Sequence, residues 1–225
     1  MTARLSIIVP ALNEAAGIAT CLDALAPLRA RGHQVLVVDG GSHDNTPALC
    51  HNRADAVLQS PPGRARQMNA AAAQAQGEVL LFLHADTTLP PQADEVIAQA
   101  LHGGAEWGRF DVRIAGRSPL LPLIAALMNR RSRWTGIATG DQAMFVRREL
   151  FHRVGGFPDQ PLMEDIELSR RLRAVARPAC LRQRVVTSGR RWDSQGAWRT
   201  VLLMWRLRWR YWRGASPEAL ARAYR

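Results

Sequence analysis

Short apolar runs that alternate with segments of helical periodicity occupy the first half of the chain. The runs are 5–9, 35–38, 56–58 and 79–83, and the helical segments that follow them are 15–29, 46–52, 64–75 and 91–101. Strands that alternate with helices form βαβ units, whose right-handed crossovers place the strands parallel in one sheet. The sequence therefore predicts an α/β fold, with a mostly parallel sheet flanked by helices.

Polar residues follow three of these predicted strands. Asn13 and Glu14 follow the first strand, Asp39 and Gly40 follow the second, and Asp86 comes shortly after the fourth. The carboxyl ends of parallel strands lie at one edge of a sheet, which is where open α/β sheets bind their ligands. We expect the three clusters to meet in one crevice.

Asp39 precedes the pair Gly40 and Gly41. Glycine lets the backbone pass close to a ligand, and a carboxylate there accepts hydrogen bonds from a nucleoside base or ribose. The same residues also form an ordinary turn, so the pattern supports both interpretations. The chain lacks the three-glycine dinucleotide fingerprint and the phosphate loop that ends in Lys-Ser/Thr, which argues against simple NAD or ATP binding.

Asp86 ends the apolar run of 80–83 after a short polar link. One or two protein carboxylates, together with substrate phosphates and water, are the usual ligands of Mg²⁺ in such sites, and Mn²⁺ favours similar oxygen ligands. A divalent ion there would neutralise charge on a diphosphate leaving group. His84 is a further candidate ligand, or a strand-end histidine bonded to the backbone.

The second half is less regular. Strands are predicted at 107–114 and 142–146, an apolar helix at 120–129, and an amphipathic helix at 164–176. Glu164 and Asp165 begin that last helix, where the helix dipole stabilises carboxylates. The spacing supports two roles equally: helix capping, or catalysis, with Asp165 as a general base toward an acceptor hydroxyl.

A stripe of large apolar residues lies near the carboxyl terminus. It consists of Trp198, Leu202, Trp205, Trp209 and Trp212, at spacings of one helical turn, with arginines beside it. Such a stripe usually packs in a core, and we expect that here. Leu203, Leu207 and Tyr211 make the opposite side apolar too, so one side is left for a partner or a membrane interface.

Charge is distributed unevenly along the chain. Residues 1–108 hold six arginines and ten acids, a net charge of −4, whereas residues 109–225 hold 24 arginines and nine acids, a net charge of +15. A positive field in one half favours anionic partners such as phosphates or an anionic membrane surface. The acidic first half, with its convergent polar loops, argues against a simple nucleic-acid-binding protein.

Three cysteines without metal-ligand spacing argue against a zinc site or a disulfide framework and fit a reducing compartment. The apolar run at 119–128 is shorter than the roughly 20 residues that span a bilayer, and the amino terminus lacks the pattern of a signal peptide. We therefore expect a cytoplasmic protein, with a peripheral position on the inner face of the membrane left open.

Four motifs, in this order, resemble the family-2 glycosyltransferases of the GT-A fold. They are SIIVPALNE at 6–14, VVDGGSHDNT at 37–46, FLHADT at 82–87 and MED at 163–165. The strings GDQA at 140–143 and GGFP at 155–158 are similar to those of a small bacterial subgroup. In this chain His-Ala-Asp stands where the family has Asp-X-Asp, so His84 replaces the first acid and leaves metal dependence open.

The resemblance implies a role for each matching residue. The nucleotide-sugar side comprises Pro10, Asn13, Glu14, Asp39, Gly40, Arg66, Asn69, Ala85, Asp86, Arg190 and Arg191, with Asp86 as the metal ligand. Asp165 and Glu164 are the catalytic pair, and Gly140, Asp141, Gln142 and Trp192 lie on the acceptor side. Arg190 and Arg191 suit a pyrophosphate because a guanidinium group pairs with it in a bidentate way. The sequence is equally compatible with both being ordinary surface arginines.

The implied activity is transfer of one sugar from a nucleotide-diphosphate sugar to an acceptor hydroxyl, with inversion and with Mn²⁺ or Mg²⁺. A lipid-linked acceptor is compatible with it. Because the Gln-X-X-Arg-Trp signature of processive synthases is not intact, a non-processive enzyme is favoured. The implied organisation is a glycosyltransferase domain at 1–192, with a nucleotide-sugar half at 1–115 and an acceptor half at 116–192, followed by an Arg/Trp-rich helical tail at 193–225.

Two other functions remain open at this stage. The same nucleotide-binding architecture also supports nucleotidyl transfer, in which attack occurs at phosphorus and pyrophosphate is released. A non-catalytic basic protein that binds a membrane or nucleic acid through its carboxyl-terminal half is the other alternative.

Overall fold

The computed structural model describes residues 3–224. Its strands are β1 (Leu5–Ala11), β2 (Gln34–Asp39), β3 (Ala56–Gln59), β4 (Val79–Phe82), β5 (Thr87–Thr88), β6 (Trp107–Ala115), β7 (Met144–Arg147) and β8 (Ala179–Ser188). Its helices are α1 (Ile18–Ala30), α2 (Thr46–Cys50), α3 (Arg64–Gln74), α4 (Ala93–His102), α5 (Leu121–Thr135), α6 (Arg148–Arg153), α7 (Glu164–Val175), α8 (Arg190–Gln195), α9 (Ala197–Trp212) and α10 (Pro217–Tyr224).

The strands form one mixed sheet in the order β3-β2-β1-β4-β7-β6-β8-β5. Strands β3, β2, β1 and β4 are parallel, so their carboxyl ends share one edge. Strand β7 pairs antiparallel with β4 and β6, while β6 and β8 are parallel. The predicted α/β fold with a mostly parallel sheet is confirmed, and its parallel part is the part predicted from the βαβ pattern.

Helices cover both faces of the parallel strands. Leu5, Ile7 and Val9 of β1 belong to a core with α1 and α4, whereas Ile8 belongs to a second core with α3, α6 and α7. Successive side chains of a strand point to opposite faces, so both sets are buried. This explains why the strands read as continuous apolar runs without alternation.

Strand β8 was not predicted from the sequence pattern. Its middle residues Arg182, Gln183 and Arg184 are exposed, and the strand lacks the alternation that marks a half-buried strand. Its position comes from parallel pairing with β6, interrupted by a register shift after Phe110. The polar composition therefore hides a strand that tertiary pairing stabilises.

A buried ion cluster holds α5 against β6. Arg109 is fully buried and pairs with Asp111, which also pairs with Arg133 of α5. Asn129 adds hydrogen bonds in both directions to the backbone of Val112, accepting at 2.9 Å and donating at 3.0 Å. Buried charges are stable only when paired, so the cluster fixes the position of α5 beside the sheet.

Helix α9 packs in the opposite orientation from the one predicted. Leu207 is buried, and it lies with Leu203, Met204 and Tyr211 against Leu162 and Met163, the residues just before α7. The tryptophan stripe itself is exposed, so the prediction that it packs in the core was wrong. Both sides of the helix are apolar, and the shape of the surface beneath it selects the side that packs.

The carboxyl-terminal helices are joined closely to the rest of the chain. Helix α8 spans the predicted boundary at 192/193, and Gly116 and Arg117 lie against its Asp193. Within residues 3–224, no helix combines the length and apolar character that crossing a bilayer requires. Segment 193–225 thus begins inside a helix that contacts the sheet.

Candidate active site

A cavity of about 1100 Å³ opens at the carboxyl edge of β1 and β4. Its polar lining includes Glu14, Asp86, Gly140, Asp141 and Asp165. Side chains of α5 and α9 form a largely apolar wall. The fold therefore brings together residues that lie far apart in sequence. Of the three strand-end clusters, Glu14 and Asp86 line the cavity, whereas Asn13, Asp39 and Gly40 are not part of its lining.

Arg190 joins the two carboxylates of the donor side. Its Nη2 donates to Glu14 Oε2 at 3.0 Å and lies 3.5 Å from Asp86 Oδ2. The hydrogen bond and charge of Glu14, with a contribution from Asp86, raise the pKa of Arg190. The guanidinium remains more than half exposed, so it can also contact a bound anion.

Asp86 is the residue that could hold a divalent cation with a substrate. Within residues 3–224, no three His, Cys, Asp or Glu side chains cluster as a complete metal site. A single partly exposed carboxylate fits Mg²⁺ or Mn²⁺ only where substrate phosphates and water supply the remaining ligands. Asp86 lines the cavity, which meets that requirement for a metal shared with a diphosphate.

His84 bridges the end of β4 and the loop before β7. Its Nδ1 lies 3.4 Å from Asp141 Oδ1, and a Cβ on Gly140 would lie 2.3 Å from its Nε2. Burial opposes ionisation of Asp141, yet the hydrogen bond from His84 and nearby arginines hold the pKa of Asp141 below its usual value. In this structure the imidazole of His84 therefore contacts the carboxylate of Asp141.

Asp165 is held at the amino terminus of α7 by backbone donors. Gly140 N donates to its Oδ2 at 2.9 Å, and Ile166 N donates to its Oδ1 at 2.7 Å. Met163 has a left-handed backbone, with φ of +67°, and this turn brings the acids to the start of the helix. Asp165 therefore satisfies one helix N–H and also fixes the Gly140 loop, while it lines the cavity.

Burial and the charge of Glu164 raise the pKa of Asp165 to about 6. Glu164 is itself buried; its Oε1 lies 3.2 Å from Arg64 Nε, and its Oε2 finds no partner among residues 3–224. A carboxylate with a pKa near neutrality is suited to accept a proton under physiological conditions. The electrostatics of this pair thus support a catalytic role in addition to helix capping.

Asp39 ends β2 and is almost fully buried. Gly41 N and Ser42 N each donate to its Oδ2 at 3.0 Å, which forms the predicted turn. Its Oδ1 has no partner within the described part of the chain. Since a buried acceptor without a partner is costly, the Oδ1 of Asp39 has unused hydrogen-bonding capacity at the end of β2.

The loops after β1 and β2 support one another. Asn13 N donates to Ser42 Oγ at 2.8 Å, and His43 N donates to Asn13 Oδ1 at 2.9 Å. Gln67 Nε2 donates to Ala11 O and Val38 O, and a Cβ on Gly40 would lie 3.0 Å from it. Asn13 thus orders the loop that carries Glu14, and Gly40 leaves room for Gln67.

Four of the predicted site residues are engaged elsewhere. Arg66 pairs with Asp159 at 2.7 Å, and the Asn69 amide bonds the backbone of Phe157. Gln142 is fully buried, with its Oε1 accepting from Thr139 N. Arg191 lies 3.7 Å above the Tyr224 ring and donates to Tyr224 O, although it also lines the cavity.

These contacts show where the four side chains lie. The side chains of Arg66, Asn69 and Gln142 lie outside the cavity lining, because each holds another segment in place. The guanidinium of Arg191 faces α10, whose approach the sequence pattern did not reveal. Pro10, Ala85 and Trp192 line the cavity, whereas Glu164, expected beside Asp165 in the catalytic pair, is not part of its lining.

Arg131 is a cavity residue that the sequence did not single out. Its Nε and Nη2 are buried, and no partner for them lies among residues 3–224. Burial lowers its pKa, against the charges of Asp165 and Asp141. Arg130, Arg131 and Arg133 occur together at the end of α5, and only the packing of the helix shows that Arg130 and Arg131 line the cavity and Arg133 does not.

A mixed sheet with this carboxylate-lined edge defines a GT-A glycosyltransferase fold. The mannosyltransferase PcManGT from Pyrobaculum calidifontis, solved with GDP-Man and Mn²⁺, superposes with a TM-score of 0.67 at 23% identity, over 100% of this chain and 69% of that one. TarS of S. aureus (residues 1–349), solved with UDP-GlcNAc, gives 0.65 at 20% identity, over 82% and 58%. At these identities the likeness establishes the fold.

The model of "Glycosyl transferase family 2" matches residues 6–156, and the chain belongs to that family. A probable glycosyltransferase, YdaM, of Bacillus subtilis is 27% identical over 75% of this chain and 46% of its own length. A PGL/p-HBAD biosynthesis glycosyltransferase of Mycobacterium tuberculosis is 30% identical over 68% of this chain and 62% of its own. The chain spans about half to three fifths of the length of these relatives.

Proposed function

We propose that this chain transfers one sugar from a nucleoside diphosphate sugar to an acceptor hydroxyl, with inversion, divalent-metal assistance and no processivity. One observation carries the proposal. A single cavity is lined by Asp86 with Arg190 and by Asp165, whose pKa is raised to about 6. A diphosphate leaving group needs its charge stabilised, which Arg190 and a cation held by Asp86 would do. A hydroxyl nucleophile needs a base, which Asp165 would be.

Residues at the ends of β1, β2 and β4 would bind the donor. The open Oδ1 of Asp39 suits a ribose or base donor, and Arg190 suits the diphosphate. Asp86 would hold Mn²⁺ or Mg²⁺, which when bound neutralises charge on the departing diphosphate. The neighbours solved with GDP-Man and Mn²⁺ and with UDP-GlcNAc support a donor of this class.

Asp165 would accept the proton of the acceptor hydroxyl. As that oxygen forms a bond to the anomeric carbon, the bond from this carbon to the diphosphate oxygen breaks, and direct attack inverts the configuration. Gly140 N holds one carboxylate oxygen in place, and Glu164 keeps the pKa of Asp165 high enough for proton transfer. Glu164 is therefore a positioning residue in this proposal.

The acceptor would enter from the side of α5 and α9. This side has an apolar wall formed by Leu127 and Met128 of α5 and Met204 of α9. Arg131 adds a cation whose Nε and Nη2 have no partner among residues 3–224. Together they suit an acceptor that has an apolar portion and a nearby anionic group. Residues 116–192 would then contribute the acceptor half together with α9.

Product analysis tests the reaction class. With nucleoside diphosphate sugars and Mn²⁺, we expect release of the nucleoside diphosphate, measured by ion-exchange chromatography.

Arg190→Gln should weaken donor binding in calorimetry about tenfold, since a charged hydrogen bond contributes roughly 1.5 kcal/mol or more. The control is Arg53→Gln, which removes an exposed arginine paired with Asp23 away from the cavity. In the product analysis, release of pyrophosphate in place of the nucleoside diphosphate would establish nucleotidyl transfer.

Activity should decline in acid because Asp165 must be deprotonated to act as a base. Its pKa is raised to about 6, so we expect turnover to fall about tenfold per pH unit below that value and to level off above it. The measurement is kcat against pH at saturating donor. An acid limb near pH 4, the ordinary range of aspartate, would contradict the assignment.

A further inference from the structure

Helix α9 presents an apolar face that residues 3–224 leave uncovered. Its members, here called the tryptophan face, are Trp198 at 67%, Leu202 at 64%, Trp205 at 68%, Trp209 at 58% and Trp212 at 80% exposure. On the opposite side of the helix, Leu207 is 1% exposed and packs against the rest of the protein. Folded proteins rarely expose so many large apolar side chains together unless the patch binds something.

The tryptophan face is continuous with the mouth of the cavity. Trp205 belongs to the face and also lines the cavity. Leu127 and Trp134 of α5 line the same cavity and are 52% and 76% exposed. These three side chains therefore form an apolar rim around the acceptor entrance.

Cations flank this apolar surface. Helix α9 contains four arginines and no acidic residue, and Arg199 and Arg206 are exposed beside the face. Arg213 lies 5.1 Å from the centre of the Trp209 ring, and Arg130 lies 4.5 Å from that of Trp134. The surface is thus apolar in the middle and positively charged at its edge.

We propose that the tryptophan face docks this chain on an anionic lipid bilayer, with the cavity mouth turned toward the lipid. Indole rings favour the membrane interface, where the ring is buried and the N–H stays hydrated. Arginines at the edge complement anionic headgroups. A second copy of this chain is a poorer partner, because the facing copies would bring their arginine rows together without acids between them.

Vesicle co-sedimentation tests the docking surface. We expect the full chain to sediment with phosphatidylcholine vesicles that contain phosphatidylglycerol, to bind pure phosphatidylcholine much more weakly, and to dissociate as salt is raised. Arg199→Gln with Arg206→Gln should weaken binding on the order of 30-fold, at roughly 1 kcal/mol per cation. Arg182→Gln with Arg184→Gln is the matched control, because it removes the same charge from exposed positions of β8.

A triple variant tests the apolar contribution. Trp198→Ser, Trp209→Ser and Trp212→Ser alter exposed residues outside the cavity lining, so we expect at least tenfold weaker vesicle binding with unchanged donor turnover in solution. If Arg199→Gln with Arg206→Gln and Arg182→Gln with Arg184→Gln weakened vesicle binding equally, the proposed docking surface would be wrong. Absence of binding to anionic vesicles would also overturn the proposal. A dimer that the triple variant dissociates would make a second copy the partner. Donor turnover without vesicles reports the proposed reaction separately.

Discussion

Asp86→Ala should reduce sugar transfer by about 10²- to 10³-fold and remove its dependence on Mn²⁺. The reduction follows because Asp86 is the carboxylate on the donor side that would hold the cation against the diphosphate, and loss of one such electrostatic group has an effect of this size. The measurement is kcat/KM over a range of Mn²⁺ concentrations. Circular dichroism should show an intact fold, since Arg190 keeps its 3.0 Å contact with Glu14.

Asp159→Ala is the control for this variant. Asp159, like Asp86, is an aspartate paired with an arginine, in this case Arg66, but it is exposed and lies outside the cavity lining. We expect its activity and metal response to equal those of the unaltered chain. If Asp86→Ala retained full activity with the same Mn²⁺ response, the metal would have to be held elsewhere and the donor side of the proposal would fail.

Asp165→Asn should lower kcat by about 10²- to 10⁴-fold while donor affinity stays unchanged. The amide cannot accept the proton of the acceptor hydroxyl, yet its carbonyl oxygen can still accept one of the two backbone hydrogen bonds that hold Asp165. Single-turnover kinetics measures the chemical step, and calorimetry with the nucleoside diphosphate measures donor affinity.

The matched control is Glu167→Gln, two residues further along α7. Glu167 pairs with Arg170 and Arg171 on the outer side of the helix and does not line the cavity. Its loss should leave kcat unchanged and cost only a small amount of stability. An unchanged kcat in Asp165→Asn would exclude this residue as the base, and an equal loss in both variants would indicate general damage to α7.

The parallel half of the fold was predictable because its strands are buried on both faces. Ile8 and its neighbours in β1 contact helices on both sides of the sheet, so selection for apolar residues leaves a continuous run in the sequence. Polar residues such as Glu14 and Asp86 stand out directly after these runs. The sequence therefore places them at one edge without knowledge of any contact.

The exposed strand β8 and the contacts of Arg190 and Arg131 were not predictable in this way. Arg182 and Arg184 carry no apolar pattern, and their strand forms only because β6 offers a pairing edge. Arg190 is 176 residues from Glu14 in sequence, and the approach of such distant residues leaves no local signal. In the same way, Asn69 looks like a ligand contact in sequence, but its amide bonds Phe157.

Local patterns in the sequence were enough to predict the strands of the parallel sheet, the sheet edge that carries Glu14, Asp39 and Asp86, and the resemblance to family-2 glycosyltransferases. Local patterns suffice for these features because they reflect burial and strand order. Tertiary packing, in contrast, sets which side of α9 is buried and places Arg131 in the cavity lining. Helix α9 is apolar on both sides, so the choice depends on the surface formed by Leu162 and Met163, which the sequence of the helix does not contain.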